Sequence, residues 1–152
     1  MPAGKDAIKG DPMVGSSFFL DVSGKAGGYF TEVSGITSES EVTEHKVQTK
    51  NGQQVVRKIP GLNKWGDITL KRGITENMDF WKWRKEVEDG KVMSARTNCT
   101  ITMYDQENTP VAKWNLVDAW PSKVTGPSLS TDSSAIGIEE LTIVCEGFER
   151  EM

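Results

Sequence analysis

The chain has a single histidine, only two cysteines, no surplus of positive charge and no long apolar run. Each shortage removes a class of function. His45 stands among Thr and Glu, with no second His and no Cys pair nearby, so an ordinary zinc set cannot be assembled around it. A Ser-His-Asp or Cys-His site would also have to pass through His45, and no G-x-S-x-G frame accompanies it. Cys99 and Cys145 lie far apart, outside any C-x-x-C arrangement, each in an apolar alternating run. They read as buried free thiols of a reducing compartment, with a disulfide or reactive thiol as the lesser alternative. A net charge of −4 argues against a protein built to grip nucleic acid, which carries a basic face. No stretch approaches the roughly 20 apolar residues that span a bilayer, so no stable membrane insertion is expected.

The remaining acidic and glycine residues supply no site either. Asp105 and Glu107 lack the further ligands, central Gly and terminal Glu of a calcium loop, and read as a turn. Glu139 and Glu140 are adjacent on an extended run, so they point to opposite faces and cannot act as a pair. The glycines fall at turns, not in a phosphate-binding loop. No catalytic, metal-binding or cofactor-binding residue is expected, and the chain reads as a structural block and not an enzyme.

What is present is a globular composition. The 152 residues are 36% hydrophobic and 26% charged, enough for one domain with a real core. Residues 1–16 mix Lys5, Asp6, Lys9 and Asp11 with Gly and Pro. They read as a flexible arm without the apolar core of a secretory signal, so synthesis in the cytoplasm is expected. Residues 17–152 read as a single domain. Period-two patterning places strands at 17–22, 29–33, 64–72, 98–104, 111–119 and 138–148, with a short one at 123–125. Ser23-Gly24 and Ala26-Gly27-Gly28 are assigned to turns, and Ser128 to Ser134 to a polar loop.

One helix is clear. Thr75 or Asn77 suits its N-cap, Asp79 its first turn, and Gly90 its end. Phe80, Trp83 and Val87 make an apolar stripe. The fold class is therefore mainly β: an antiparallel barrel or sandwich of two sheets, with one flanking helix and a long protruding hairpin.

That hairpin runs from Glu41 to Ile59. Asn51-Gly52 suits a two-residue type I′ turn. Such a turn sets Val47 against Val56, Lys46 against Arg57 and Glu44 against Ile59. Two cations then face each other, and each face has little apolar surface, so the arm is poorly able to stand alone. It reads either as a mobile surface hairpin or as an arm that docks on another chain. In the second reading Glu44, His45, Lys46, Val47, Asn51, Gly52, Val56, Arg57 and Ile59 form the contact. Five tryptophans are many for a domain without an evident ligand pocket. Trp83, Trp114 and Trp120 are assigned to the core, while Trp65 and Trp81 are candidate interface aromatics.

Four stretches together resemble one family. They are Tyr29-Phe-Thr-Glu-Val-Ser-Gly-Ile36, the run from Lys58 through Pro60-Gly61 and Trp65-Gly-Asp67 to Ile74, the run from Val111 through Trp114 and Trp120-Pro121 to Val124, and Ile138-Glu-Glu-Leu141 with Glu146-Gly-Phe148. The resemblance, over about residues 17–148, is to the tail tube proteins of contractile phages and phage-like injection systems, and to the type VI secretion tube protein. It implies a small barrel whose copies form hexameric rings stacked into a hollow tube. It implies as partners a contractile sheath, baseplate or tube-initiator and terminator proteins, and DNA or protein cargo in the lumen. The finished particle would be a phage tail or an injection particle, released from the cell in some systems.

Within this picture the period-two pattern turns Glu140, Thr142 and Glu146 toward the lumen, with Val144 as an exception. Leu141, Ile143 and Cys145 face the core. The competing expectations are a tube-initiator or baseplate-proximal ring protein of the same fold and, from a different class, a small lectin-like binding module.

Overall fold

The computed structural model describes residues 17–23, 25–127 and 137–152. The arm expected at 1–16 and the loop expected at Ser128 to Ser134 lie outside them. Ten strands and two helices follow in order: β1 (Ser17–Val22), β2 (Ala26–Phe30), β3 (Glu32–Ser34), β4 (Ser38–Gln48), β5 (Gln54–Trp65), β6 (Ile68–Gly73), α1 (Asp79–Glu88), α2 (Val92–Ala95), β7 (Thr97–Tyr104), β8 (Pro110–Thr125), β9 (Ile138–Val144) and β10 (Gly147–Arg150).

Every pairing is antiparallel. The strands run in the order β2-β1-β7-β8-β9-β6-β3, with β10 beside β8 and β4-β5 as a separate ribbon. The two ends of this path, β2 and β3, are joined by Thr31 alone, and the Thr31 N–H donates to the Lys71 carbonyl at 2.8 Å. The path therefore closes on itself as a barrel, which leaves few unpaired edges.

Two bent strands turn the corners. In β8 the residues before Val117 pair with β7 and β10, and those after Ala119 pair with β9. The bend is a bulge opposite Asn98, where Asp118 takes a left-handed φ of 50° and donates its N–H to the Asn98 side chain at 3.2 Å. Across from it, the expected last strand over 138–148 is broken at Cys145-Glu146 into β9 and β10.

The glycines of β2 correct the expected turn at Ala26-Gly27-Gly28. All three residues are paired with Val22, Asp21 and Leu20. Glycine is there for space. A Cβ on Gly28 would lie 2.8 Å from Arg72 Nη1 and 3.1 Å from the Phe80 ring. Leu20, Phe30, Ile68, Leu70, Ile101, Leu116, Leu141 and Ile143 fill the barrel. Each such side chain is worth about 1.5–3 kcal/mol in burial.

Helix α1 lies over this core through Phe80 and Trp83, with Phe80 edge-on to Phe30 at 5.4 Å. Of the two expected caps, Asn77 serves the helix, accepting the Asp79 N–H at 2.8 Å, and Thr75 accepts the Asn77 N–H at 3.2 Å. Gly90, at φ 81°, ends the helix. The short α2 was not expected. It follows from Trp83, whose indole N–H donates to the Ala95 carbonyl at 2.7 Å. Among the described residues no helix is long and apolar enough to cross a membrane.

A buried ion pair joins the barrel to the helix. Arg72 is 5% exposed and Glu139 3%, and Arg72 Nε donates to Glu139 at 3.0 Å. The guanidinium sits over the rings of Phe30 and Phe80, at 5.1 and 4.9 Å. The Trp81 indole N–H donates to the other Glu139 oxygen. Removing one partner strands the other charge in the core, which typically costs about 3–5 kcal/mol. Glu139→Ala is therefore expected to lower unfolding stability by about that much in a urea titration, while Arg72→Met with Glu139→Leu loses far less. Equal losses in the single and double variants would contradict a buried pair.

Candidate assembly surfaces

The β4-β5 hairpin leaves the barrel where β6 begins. Its root is tied down. Trp65 lies edge-on to Phe148 at 5.1 Å and against Gly147, and the Gly66 N–H donates to the Thr37 carbonyl at 2.9 Å. Gly35, at φ 85°, lets the chain pass the Asp67 carbonyl, where a side chain would collide. Above the root, Lys64 pairs with Glu41 at 2.8 Å and Ser40 donates to Asn63 at 2.7 Å. The expected end of the arm at Pro60-Gly61 is passed through. The ribbon continues to Ser38 and Trp65, roughly 35 Å long at about 3.3 Å per residue.

The register differs from expectation by one residue. Val47 faces Val55, Lys46 faces Val56, His45 faces Arg57, Glu44 faces Lys58 and Thr43 faces Ile59. The cause is the loop. The Thr49 N–H donates to Gln53 at 2.8 Å and the Gly52 N–H to Thr49 at 3.0 Å. Only Gly52 has positive φ there, at 79°, and Asn51 does not. Lys50-Asn51-Gly52 is thus a three-residue loop, a type I turn followed by a left-handed glycine.

The slip removes the expected clash of Lys46 with Arg57. It sets Glu44 against Lys58, an opposite-charge pair, and places Val47, Val55 and Ile59 on one face and Val42, Val56 and Pro60 on the other. Apart from Val47 and Trp65, which are half-buried, every residue of both arms is exposed. Val42 is 65% and Leu62 72% exposed. Isolated ribbons of this kind are marginal in water. Both faces thus present aliphatic residues that the chain itself does not cover.

The two candidate aromatics separate. Trp65 is spent within the chain, on Phe148 at the root. Trp81 is held by Glu139 yet remains 37% exposed at the far end of the barrel. Among the tryptophans assigned to the core, Trp83 is buried, and Trp114 is half-buried beneath Arg150. Trp120 is a correction: it pairs with Val144 between buried Ala119 and Pro121, so its parity turns it outward.

A polar wall occupies the outer face of β3, β6 and β9. One row reads Ser34, Thr69, Thr142 and Lys123, and the next reads Glu32, Lys71, Glu140 and Thr125. Lys71 bridges the two acids, at 3.5 Å to Glu140 and 3.9 Å to Glu32. Glu140 and Thr142 thus share a face, opposite Leu141 and Ile143, as the alternation requires. Glu146 does not join them. It sits in the break between β9 and β10, with its N–H on the Val117 carbonyl and its carboxylate 3.6 Å from Arg96.

The cysteines are free. Burial is the main cause that pushes the Cys99 thiol up to about 12, and it raises Cys145 as well. Both are held protonated at neutral pH and are weak nucleophiles. Among the described residues, no three His, Cys, Asp or Glu side chains gather as a metal site.

A closed antiparallel barrel with one flanking helix and an outsized, uncovered hairpin defines a structural subunit of the tail-tube class. The chain belongs to the family of T4-like virus tail tube protein gp19, whose model matches residues 15–149. No curated protein matches it. Among solved structures it is similar to a chain of the sheath–tube complex of an extracellular contractile injection system, PVC, in the extended state. That match has 21% identity over 92% of this chain and 91% of the other, with a TM-score of 0.70. It is similar also to a chain of the tube-terminating cap of the anti-feeding prophage, at 20% identity over 100% and 99%, TM-score 0.71. Hcp1 from Flavobacterium johnsoniae shares the fold more distantly, at 13% identity over 89% and 94%, TM-score 0.51.

The register is open to a direct test. With Cys99 and Cys145 replaced by Ala, Val47→Cys with Val55→Cys is expected to close an intrachain disulfide under mild oxidation, and Val47→Cys with Val56→Cys is not. Peptide mass mapping reads the result, and the reverse outcome restores the two-residue turn.

Proposed function

We propose that this chain is the repeating subunit of the inner tube of a contractile tail or injection particle. Copies join into hexameric rings, and rings stack around a central channel that passes DNA or protein cargo. The observation that carries this reading is the β4-β5 hairpin, an exposed ribbon with aliphatic residues on both faces and no cover from its own chain. Such a surface is completed by another copy. The family to which the chain belongs and the sheath–tube complex that it resembles in fold support the same conclusion. The 6-fold symmetrised baseplate of the anti-feeding prophage, which contains a chain of similar fold, supports the ring size.

The polar rows on β3, β6 and β9 make the best channel lining. Thr69, Thr142 and Ser34 offer short hydroxyls, and Lys71 balances Glu32 and Glu140, so the wall is wet without a strong field of either sign. Cargo of either charge passes such a wall without sticking. The outside of the tube would meet a contractile sheath protein, and its ends a baseplate or initiator protein and a terminator. A second reading is a ring protein of the same fold at one end of the tube. It is favoured by one observation: the tube-terminating cap chain matches over its whole length, with a TM-score like that of the sheath–tube chain.

Electron microscopy of the purified protein separates these readings. The tube subunit gives long hollow tubes, an end protein gives single rings, and a binding module gives solitary monomers. Deleting Thr49 to Gln54 is expected to leave a folded monomer that no longer assembles. Tubes from the deletion variant would sink the role given to the hairpin. In assembled tubes, Thr142→Cys is expected to resist a protein-sized maleimide that labels the same residue in monomers. Labelling along the tube exterior would move the channel to another face.

A further inference from the structure

The hairpin and an uncovered apolar patch lie at opposite poles of the barrel. β6 runs from Ile68 to Gly73, about 17 Å at the usual rise of a strand. The hairpin enters at the Ile68 end through Trp65-Gly66-Asp67. At the Gly73 end, Ile74, Met78 and Ile138 are 55%, 59% and 54% exposed, and Trp81 shows its free edge. These residues are neighbours by backbone. The Ile74 N–H donates to the Gly137 carbonyl at 3.0 Å, Gly73 pairs with Ile138, and Trp81 reaches Glu139.

Charge matches as well as apolar surface. From His45 to Lys58 the hairpin carries Lys46, Lys50, Arg57 and Lys58 and no carboxylate. From Ile74 to Asp79 the opposite pole carries Glu76 and Asp79 and no cation. None of these six charges forms an ion pair with any described residue.

We infer that the hairpin of one copy docks on the Ile74–Met78–Trp81–Ile138 patch of a copy in the next ring. Val55 and Ile59, or Val56 on the reverse face, meet the aliphatic residues, and Arg57 and Lys58 meet Glu76 and Asp79. The two surfaces differ and lie at opposite poles, so the contact is head-to-tail and does not close. It propagates, and each added ring presents a fresh set of patches. This inference rests on the tube reading and assigns its stacking contact.

The test uses the full chain assembled as tubes. A photoreactive p-benzoylphenylalanine at position 55 is expected to crosslink to residues 74–81 or to Ile138 of another copy. Crosslinks confined to other segments overturn the assignment. Ile138→Asp and, independently, Met78→Asp are expected to keep the monomer's melting curve and form rings, while the pelleted tube fraction falls roughly tenfold. Undiminished tubes from both variants, or loss of the rings themselves, overturn it. Glu76→Lys is expected to weaken stacking, and adding Arg57→Glu to restore it. Lack of restoration counts against the charge match. If the unaltered chain gives neither rings nor tubes, the tube reading fails, and that outcome is distinct from normal tubes with indifferent patch variants.

Discussion

The guanidinium of Arg72 lies in the core between two phenyl rings, and much of the architecture is arranged around it. Gly28 gives up its side chain to admit it. Phe30 and Phe80 present their faces to it, and Glu139 neutralises it from directly across the β6-β9 ladder. The second oxygen of Glu139 is taken by Trp81 of α1. One ion pair thus fixes three things: the register of β6 on β9, the seat of the helix, and the close approach of β2. Its net energy need not be large, since apolar residues of similar size often do as well. Its effect is on specificity. A slip of one residue between β6 and β9 would part the two charges and turn Lys71 and Glu140 inward, exposing Leu70 and Leu141. Arg72 Nη2 is buried without a hydrogen-bond partner among the described residues, so the arrangement carries a cost that a purely apolar core would avoid.

With that register set, the polar wall follows. β6 alternates Ile68, Leu70 and Arg72 inward with Thr69 and Lys71 outward, and β9 alternates Leu141 and Ile143 inward with Glu140 and Thr142 outward. The same ladder that holds Arg72 against Glu139 holds Lys71 against Glu140 one residue earlier. The inner pair specifies and the outer pair solvates. Trp120 and Val144 end the wall with a short apolar stretch at the pole from which the hairpin leaves.

Much of this was readable from the chain, for identifiable reasons. Helix α1 announces itself by Phe80, Trp83 and Val87, because a 3.6-residue period is hard to produce by accident in ten residues. The outward set Glu140 and Thr142 follows from strand parity alone. The register of the hairpin did not follow from Asn51-Gly52, because that dipeptide serves both a two-residue loop and the last two places of a three-residue one. What decides is whether Asn51 takes positive φ, and no neighbouring residue declares it. Gly27 and Gly28 misled in the opposite direction: glycine removes a side chain as well as freeing a backbone, and only the packing of Phe19, Arg72 and Phe80 shows which use applies. The Arg72–Glu139 pair had a signal that went unused. Each charge falls on the apolar phase of its strand, Arg72 with Ile68 and Leu70, Glu139 with Leu141 and Ile143. Opposite charges out of phase on two strands are candidates for one buried pair, but a separation of 67 residues hides the partnership until the strands are placed side by side.

The hairpin carries the opposite physics from the core. Its aliphatic residues are held in water by charge: Lys46 beside Val47, Arg57 and Lys58 between Val56 and Ile59. Such interleaving keeps exposed strands from pairing indiscriminately. It also limits how strongly any single hairpin can bind, because each contact must strip water from charged neighbours. A weak contact is what a stacking subunit needs. One misplaced copy leaves easily, whereas a ring of copies docks through all its hairpins together. The effective concentration that the first contact creates for the rest makes the assembled stack far tighter than any one arm. The exposure that makes the hairpin look unfinished in one chain is then the condition under which rings form first and tubes grow from them.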